Sequence, residues 1–275
     1  MTPVFILILE DLLNPDKTWT FSLGSPSHST SPYQWTVVAI ICIIGGYWII
    51  NLYSYWNADT KYALGYNLDR VGDYQNAYPL LLEAVKIKPN EAVYADELAV
   101  NVAVLSTGFA QQNDAANTQA FASTAIDLSN QVTAKHPNNV VYWKNRVRLF
   151  YTLAQANPNQ QLSYYQEALK SIEIANNLAP TDAKIKYNLG VLQGQTGNIS
   201  QGIQTLQETI KIKPDYRDAY FALGLFFYQA SLDQNGKVTT PELKQKAIDV
   251  YEYILKNINP EDTEVKKSLE QWGAQ

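Results

Sequence analysis

The chain has one cysteine, Cys42, and two histidines, His28 and His136, among 275 residues. A lone cysteine excludes an intramolecular disulfide framework, and its place inside an apolar run makes it a small hydrophobic filler. Neither histidine has a ligand-type neighbour at helical spacing, so no histidine-based metal or catalytic cluster is expected. His136, beside Pro137, is read as a group at the carbonyl end of a helix, and His28, alone in a loop, is given no role. Basic residues are also scarce. Lys and Arg number 21 against 26 Asp and Glu, for a net charge of −5, which excludes the clustered cationic footprint that nucleic acid requires. Catalysis needs convergent titratable groups, and their shortage predicts that the protein is not an enzyme and needs no cofactor. Aromatics, in contrast, are plentiful, with 19 tyrosines and 6 tryptophans, and such residues serve equally in packing and in binding surfaces.

Charge is missing entirely between Trp35 and Tyr55, W-T-V-V-A-I-I-C-I-I-G-G-Y-W-I-I-N-L-Y-S-Y. As a helix at ~1.5 Å per residue this run crosses ~30 Å, the thickness of a hydrocarbon core. Trp35 at one end and Tyr53, Tyr55 and Trp56 at the other stand where interfacial aromatic belts form. Residues 35–56 are therefore predicted to be a single transmembrane helix, the alternative being a buried core helix. Ahead of it, residues 1–34 combine a short apolar segment, P-V-F-I-L-I-L, with a Ser/Pro-rich loop. Glu10 and Asp11 stop the apolar segment short of the ~20 residues of a span, and no basic leader or cleavage site marks it as a signal peptide. The expected localisation is a single-pass membrane protein. The Asn, Gln, Thr and Tyr content of the remainder leans the soluble part to the extracytoplasmic side.

From Pro180 to Pro214 is a step of 34 residues. Within it, Leu189-Gly190 precedes the turn Thr196-Gly197-Asn198, and a stripe of Ile199, Ile203, Leu206 and Ile210 follows. Leu64-Gly65, Leu68, Gly72, Tyr74, Ala77, Leu81, Ala84 and Pro89 repeat the pattern earlier in the chain. This spacing resembles the tetratricopeptide repeat family, in which small residues let two antiparallel helices approach and larger ones fill the space between hairpins. The resemblance extends to Leu98-Ala99, Ala125 and Pro137, to Trp143, Val147, Phe150, Ala168, Ala175 and Pro180, and to Leu223-Gly224, Phe227, Ala247, Tyr251 and Pro260. It implies an all-α fold, with the transmembrane helix followed by an α-solenoid of about five hairpins (58–91, 92–139, 140–182, 183–216 and 217–260). Residues 261–275 would supply a C-terminal capping helix. The second hairpin must have longer helices or an extended turn, and N-P-N-Q-Q bridges the third.

In such solenoids the concave face, lined by the first helix of each hairpin, is the functional one. The family's groove positions fall on Tyr62, Tyr66 and Arg70, then on Asp96, then on Lys144, Arg148 and Tyr151. Lys184, Tyr187 and Val191 follow in the fourth unit, and Phe221, Leu225 and Tyr228 in the fifth. Functionally, Lys144, Arg148 and Lys184 among tyrosines suit an acidic or extended peptide or an anionic glycan; structurally, they suit a solvated face whose stems cover the core. The positions lack the basic set of carboxylate-clamp repeats. The expected function is a membrane-anchored scaffold for protein–protein interaction or assembly, with a protein or peptide partner in the groove. W-N-A-D-T-K-Y-A-L-G with P-N-E-A-V-Y-A-D-E-L-A also resembles the repeat tail of bacterial O-antigen ligase and polymerase-type membrane proteins, which would make the chain a split partner in glycan assembly. A third reading rests on Ser231 to Glu242, S-L-D-Q-N-G-K-V-T-T-P-E, which resembles a calcium loop with Asp233, Asn235 and Glu242 as ligands. Ser231 stands where that family has Asp, and turn formation alone accounts for D-Q-N-G.

Overall fold

The structure, a computed structural model, describes residues 32–273. The short apolar segment, His28 and most of the Ser/Pro-rich loop lie outside the described residues. The described residues divide into two compact units, one ending at Trp56 and the other beginning at Asn57. Eleven α-helices follow one another among the described residues: α1 (Pro32–Arg70), α2 (Tyr74–Ile87), α3 (Ala92–Gln111), α4 (Ala115–Lys135), α5 (Val140–Ala156), α6 (Gln161–Leu178), α7 (Ala183–Gln195), α8 (Ile199–Ile212), α9 (Arg217–Ala230), α10 (Pro241–Asn257) and α11 (Thr263–Gln271).

The apolar run 35–56 and the first helix of the first repeat unit lie on one continuous helix. Both belong to α1, which is 39 residues long. Between Trp56 and Gly65 there is no proline or glycine to stop a helix, so the backbone hydrogen bonds continue. In the first unit none of the apolar window of α1 is buried, and it is long and apolar enough to cross a membrane.

In the second unit the helices pair as hairpins. Three of these turn the same way. Gly72, Asn113 and Gly197 take positive φ values of 85°, 59° and 95°. The amides that follow, of Asp73, Asp114 and Asn198, donate to the carbonyls of Leu68, Phe109 and Gln193 at 2.9, 3.0 and 2.8 Å. This is the six-residue closure that satisfies the last carbonyls of a helix. Asp73 and Asp114 then cap the next helix by accepting from the Asn76 and Asn117 amides. The second hairpin thus keeps the ordinary turn and absorbs its insertion in longer helices, of 20 and 21 residues. In the third, a 3-10 turn at Pro158–Gln160 makes the bridge. Between hairpins, Lys88, His136, Ala179 and Lys213 have φ near −130° with positive ψ, the extended conformation that the next residue, a proline, imposes.

Small residues set the helix spacing. A Cβ on Gly65 would lie 2.8 Å from Leu81 Cγ, and one on Gly224 would lie 2.3 Å from Tyr251 Cε1. The buried side chains form two main clusters. One joins hairpins one to three with α7, through Leu81, Leu98, Leu149, Phe150, Ile172 and Ile185. The other joins α8 to α11, through Leu206, Phe226, Phe227, Tyr251, Ile254 and Trp272. Trp272, just past α11, stacks on Tyr228 at 4.4 Å and on Tyr251 at 4.6 Å. Arg217 binds Asp262 through Nε at 2.8 Å and Glu264 through Nη2 at 2.8 Å, tying α11 to the last hairpin.

Candidate functional site

Helices α1, α3 and α5 are the first helices of successive hairpins, and together they enclose a cavity of about 370 Å³. It is lined by Tyr62, Tyr66, Asp69 and Arg70 of α1, Val93, Asp96 and Glu97 of α3, and Val141, Asn145 and Arg148 of α5. Residues 62, 66, 69 and 70 share one face because helical neighbours recur at three- and four-residue spacing. The Tyr62 and Tyr66 rings stack at 5.9 Å, and the Arg70 guanidinium sits 5.9 Å over the Tyr66 ring. Tyr66, Val93 and Val141 are exposed hydrophobic groups.

Beneath them lies a polar layer. Asn101 donates through Nδ2 to Asp69 Oδ1 at 2.7 Å and to the Tyr74 carbonyl at 3.0 Å. Asn145 donates to Asp96 Oδ2 at 2.6 Å. Burial pushes the Asp96 carboxyl up to about 6, although the Asn145 hydrogen bond opposes the shift. Glu97 is pushed up to about 7, first by burial and then by the negative charge of Asp69, with Arg148 opposing. Burial raises Asp69 as well. Loss of solvent is the cause in all three, because it disfavours the charged form of a carboxyl. Tyr62 is raised to about 12 by burial and by its carboxylate neighbours, Glu97 first among them.

Five of the carried-over groove residues, Tyr62, Tyr66, Arg70, Asp96 and Arg148, therefore meet in one cavity. The others do not join it. Lys144 approaches Asp182 at 4.0 Å, and Lys184, two residues further along, is exposed. The Tyr151 hydroxyl donates to Gln195 Oε1 at 2.6 Å, and Tyr187 packs against Tyr216 at 5.2 Å. Phe221 stacks on Tyr251 at 5.2 Å and Tyr228 on Trp272, so both serve the cap. The basic patch of Lys144, Arg148 and Lys184 is thus divided. The sequence reading passed over Asp69, Glu97 and Asn145. Asp69 shares a turn with Tyr66 and Arg70, and Glu97 adjoins Asp96, so position along the helix could have found them; Asn145 required the stacking of hairpins.

In the Ser231 to Glu242 stretch, Asp233 Oδ1 accepts the backbone amides of Asn235 and Lys237, each at 2.9 Å. Gly236 has φ 76°, and Leu232 pairs with Val238 in an isolated antiparallel bridge. The carboxylate is engaged in forming a turn. Among the described residues no group of three or more His, Cys, Asp or Glu side chains is placed to hold a metal ion, so the calcium reading gains no support.

The hairpins define a tetratricopeptide-type solenoid, and the comparisons agree with that class. The tetratricopeptide repeat family matches residues 58–91 and 183–216. No curated protein matches the sequence, so the likeness to glycan polymerases and ligases finds no support. Among solved structures, a tetratricopeptide repeat protein from Parabacteroides merdae ATCC 43184 is similar at 14% identity and a TM-score of 0.57, over 79% of this chain and 72% of its own. Residues 41 to the end of MamA from Desulfovibrio magneticus RS-1 are similar at 17% identity and a TM-score of 0.55, over 75% and 98%. YrrB, a tetratricopeptide repeat protein with an unusual peptide-binding site, is similar at 14% identity and a TM-score of 0.50, over 76% and 90%. At these identities the likeness is one of fold.

Proposed function

We propose that the protein is a membrane-anchored scaffold whose solenoid holds an extended segment of a protein partner, with the cavity of α1, α3 and α5 as the main point of attachment. One observation carries this reading. Exposed Tyr66, Val93 and Val141 surround polar groups in a single concavity built from three successive hairpins, the mixture of apolar wall and few directed polar groups that binding sites use. Its ~370 Å³ falls at the lower end of the ~300–1,000 Å³ usual for such sites. The peptide-binding site of YrrB supports the same use of the fold. The unburied apolar window of α1 supports the anchor, since a charge-free helix of that length is stable in hydrocarbon.

The test is the double substitution Val93→Gln with Val141→Gln. Both side chains are about half exposed, at 46% and 53%, so the exchange costs little in stability. Partner recovered with the full chain from native membranes drops by at least ~10-fold, in proportion to two apolar contacts of ~0.8 kcal/mol or more each. Undiminished recovery by a folded variant would place the partner elsewhere.

A further inference from the structure

The floor of the cavity holds three carboxyl groups from two helices, Asp69 of α1 and Asp96 and Glu97 of α3. Arg70 and Arg148 stand at the same cavity, yet among the described residues neither makes an ion pair with a carboxylate. The negative charge of the floor is therefore not discharged by a direct contact. Asp69 is more than nine-tenths buried, and its Oδ2 has no N–H or hydroxyl donor. The group that reaches the Asp69 carboxyl is the carboxyl of Glu97, which donates only when it carries a proton. A buried acceptor without a donor is costly, so the site is built around a positive hydrogen that the protein's own N–H groups do not supply. Above it stand the Tyr62 and Tyr66 rings, whose faces are taken up by each other, by Tyr94 and by the Arg70 guanidinium, so the carboxyls are the groups left to meet a ligand. The carboxyls are not grouped as metal ligands, which favours a longer, organic cation.

We propose that this cavity takes a basic side chain of the bound peptide, a lysine ammonium or arginine guanidinium, seated against the Asp69, Asp96 and Glu97 carboxyls. The inference rests on the groove reading above and fixes the chemistry of its ligand. With its carboxyl pushed up to about 7 by burial and by Asp69, Glu97 carries a proton in part of the free molecules near neutral pH. Asp69 and Tyr62 from α1, Asp96 beside it and Arg148 from α5 are the charged and titratable groups that face it. When a cation arrives, Glu97 ionises and the proton leaves to solvent, so binding near neutral pH releases protons. The exposed Val93 and Val141 cover the aliphatic stem.

The experiment uses the full chain in lipid nanodiscs and three capped peptides, Ac-Ser-Ala-Xaa-Ala-Ser-amide, with lysine, norleucine or glutamate at the centre. Titration calorimetry at pH 7 is run in phosphate and in Tris, whose ionisation heats differ. The lysine peptide binds at least ~10-fold more tightly than the norleucine peptide, as a charge-assisted hydrogen bond implies, and its apparent heat differs between the buffers by the proton released. Glu97→Gln weakens lysine binding ~10-fold and removes the buffer difference, and Val93→Gln, at an exposed position over the stem, weakens it without removing that difference. Equal binding of the lysine and norleucine peptides, or preference for glutamate, overturns the basic-side-chain inference and leaves the groove reading standing. Binding of none of the three at millimolar concentration overturns both.

Discussion

The first hairpin carries Tyr62, Tyr66 and Asp69 where the fifth, at the same repeat positions, carries Phe221, Leu225 and Tyr228. Gly65 and Gly224 correspond as well, each lying against a large side chain of the following helix, Leu81 and Tyr251. The helix pairing is therefore shared, but the inner faces differ. Around Asp69 the space is left open, walled by tyrosines and floored by carboxyls. Around Tyr228 it is filled by Trp272, whose ring stacks on Tyr228 and Tyr251 and is itself only 7% exposed. The repeat fixes how two helices meet, while single residues at the inner positions decide whether the concave face is left open or closed by a cap.

The largest effect should come from breaking the closed end. Trp272→Ala removes a buried aromatic and is expected to cost ~3–5 kcal/mol, read by urea denaturation of the full chain in detergent. Hydrogen exchange should rise in α9 to α11 and stay unchanged at α1, α3 and α5. Equal loss of protection at both ends would mean that the two clusters are one cooperative body and that the contrast between them has no energetic content.

A smaller effect sharpens the open end. Glu97 has an ordinary value of 4.5 and is raised to about 7 in the fold. Folding therefore takes up a proton between those two values, and the stability that the neutral form contributes is complete below about 4.5 and lost as pH rises through 7. Asp96, raised from 3.8 to about 6, adds a loss of the same sign at lower pH. The melting temperature should fall from pH 5 to pH 8, and Glu97→Gln should lose ~2–4 °C less over that range, the effect of roughly 1 kcal/mol in a chain of this size after allowance for partial exposure. Parallel slopes for the two proteins would show that Glu97 is ordinarily ionised in the fold.

Much of the solenoid was legible in sequence because its signals are local. Gly72 and Gly197 act through their own backbone dihedrals, the helix-ending prolines through that of the preceding residue, and Leu64-Gly65 and Leu189-Gly190 through the adjacent helix. The boundary between the apolar run and the first repeat leaves no mark on the backbone, because nothing between Trp56 and Gly65 breaks a helix. The groove positions admit two readings from sequence, a binding face or a solvated face whose stems cover the core. Lys144, Tyr151, Tyr187, Phe221 and Tyr228 engage Asp182, Gln195, Tyr216, Tyr251 and Trp272, partners supplied by neighbouring helices. No pattern within one helix reveals that Asn145 meets Asp96 forty-nine residues earlier, or that the Asp69 acceptor lacks a donor.

The central claim is that the open end of the concave face, not the closed one, receives a partner. A photo-crosslinking residue placed at Tyr66 or at Leu225 compares corresponding positions of the first and fifth hairpins, exposed at 37% and 40%. In native membranes the Tyr66 position should yield a discrete crosslinked product that excess lysine-centred peptide suppresses, and the Leu225 position should yield none. Labelling at Leu225 alone, or equally at both and insensitive to the peptide, would contradict the account.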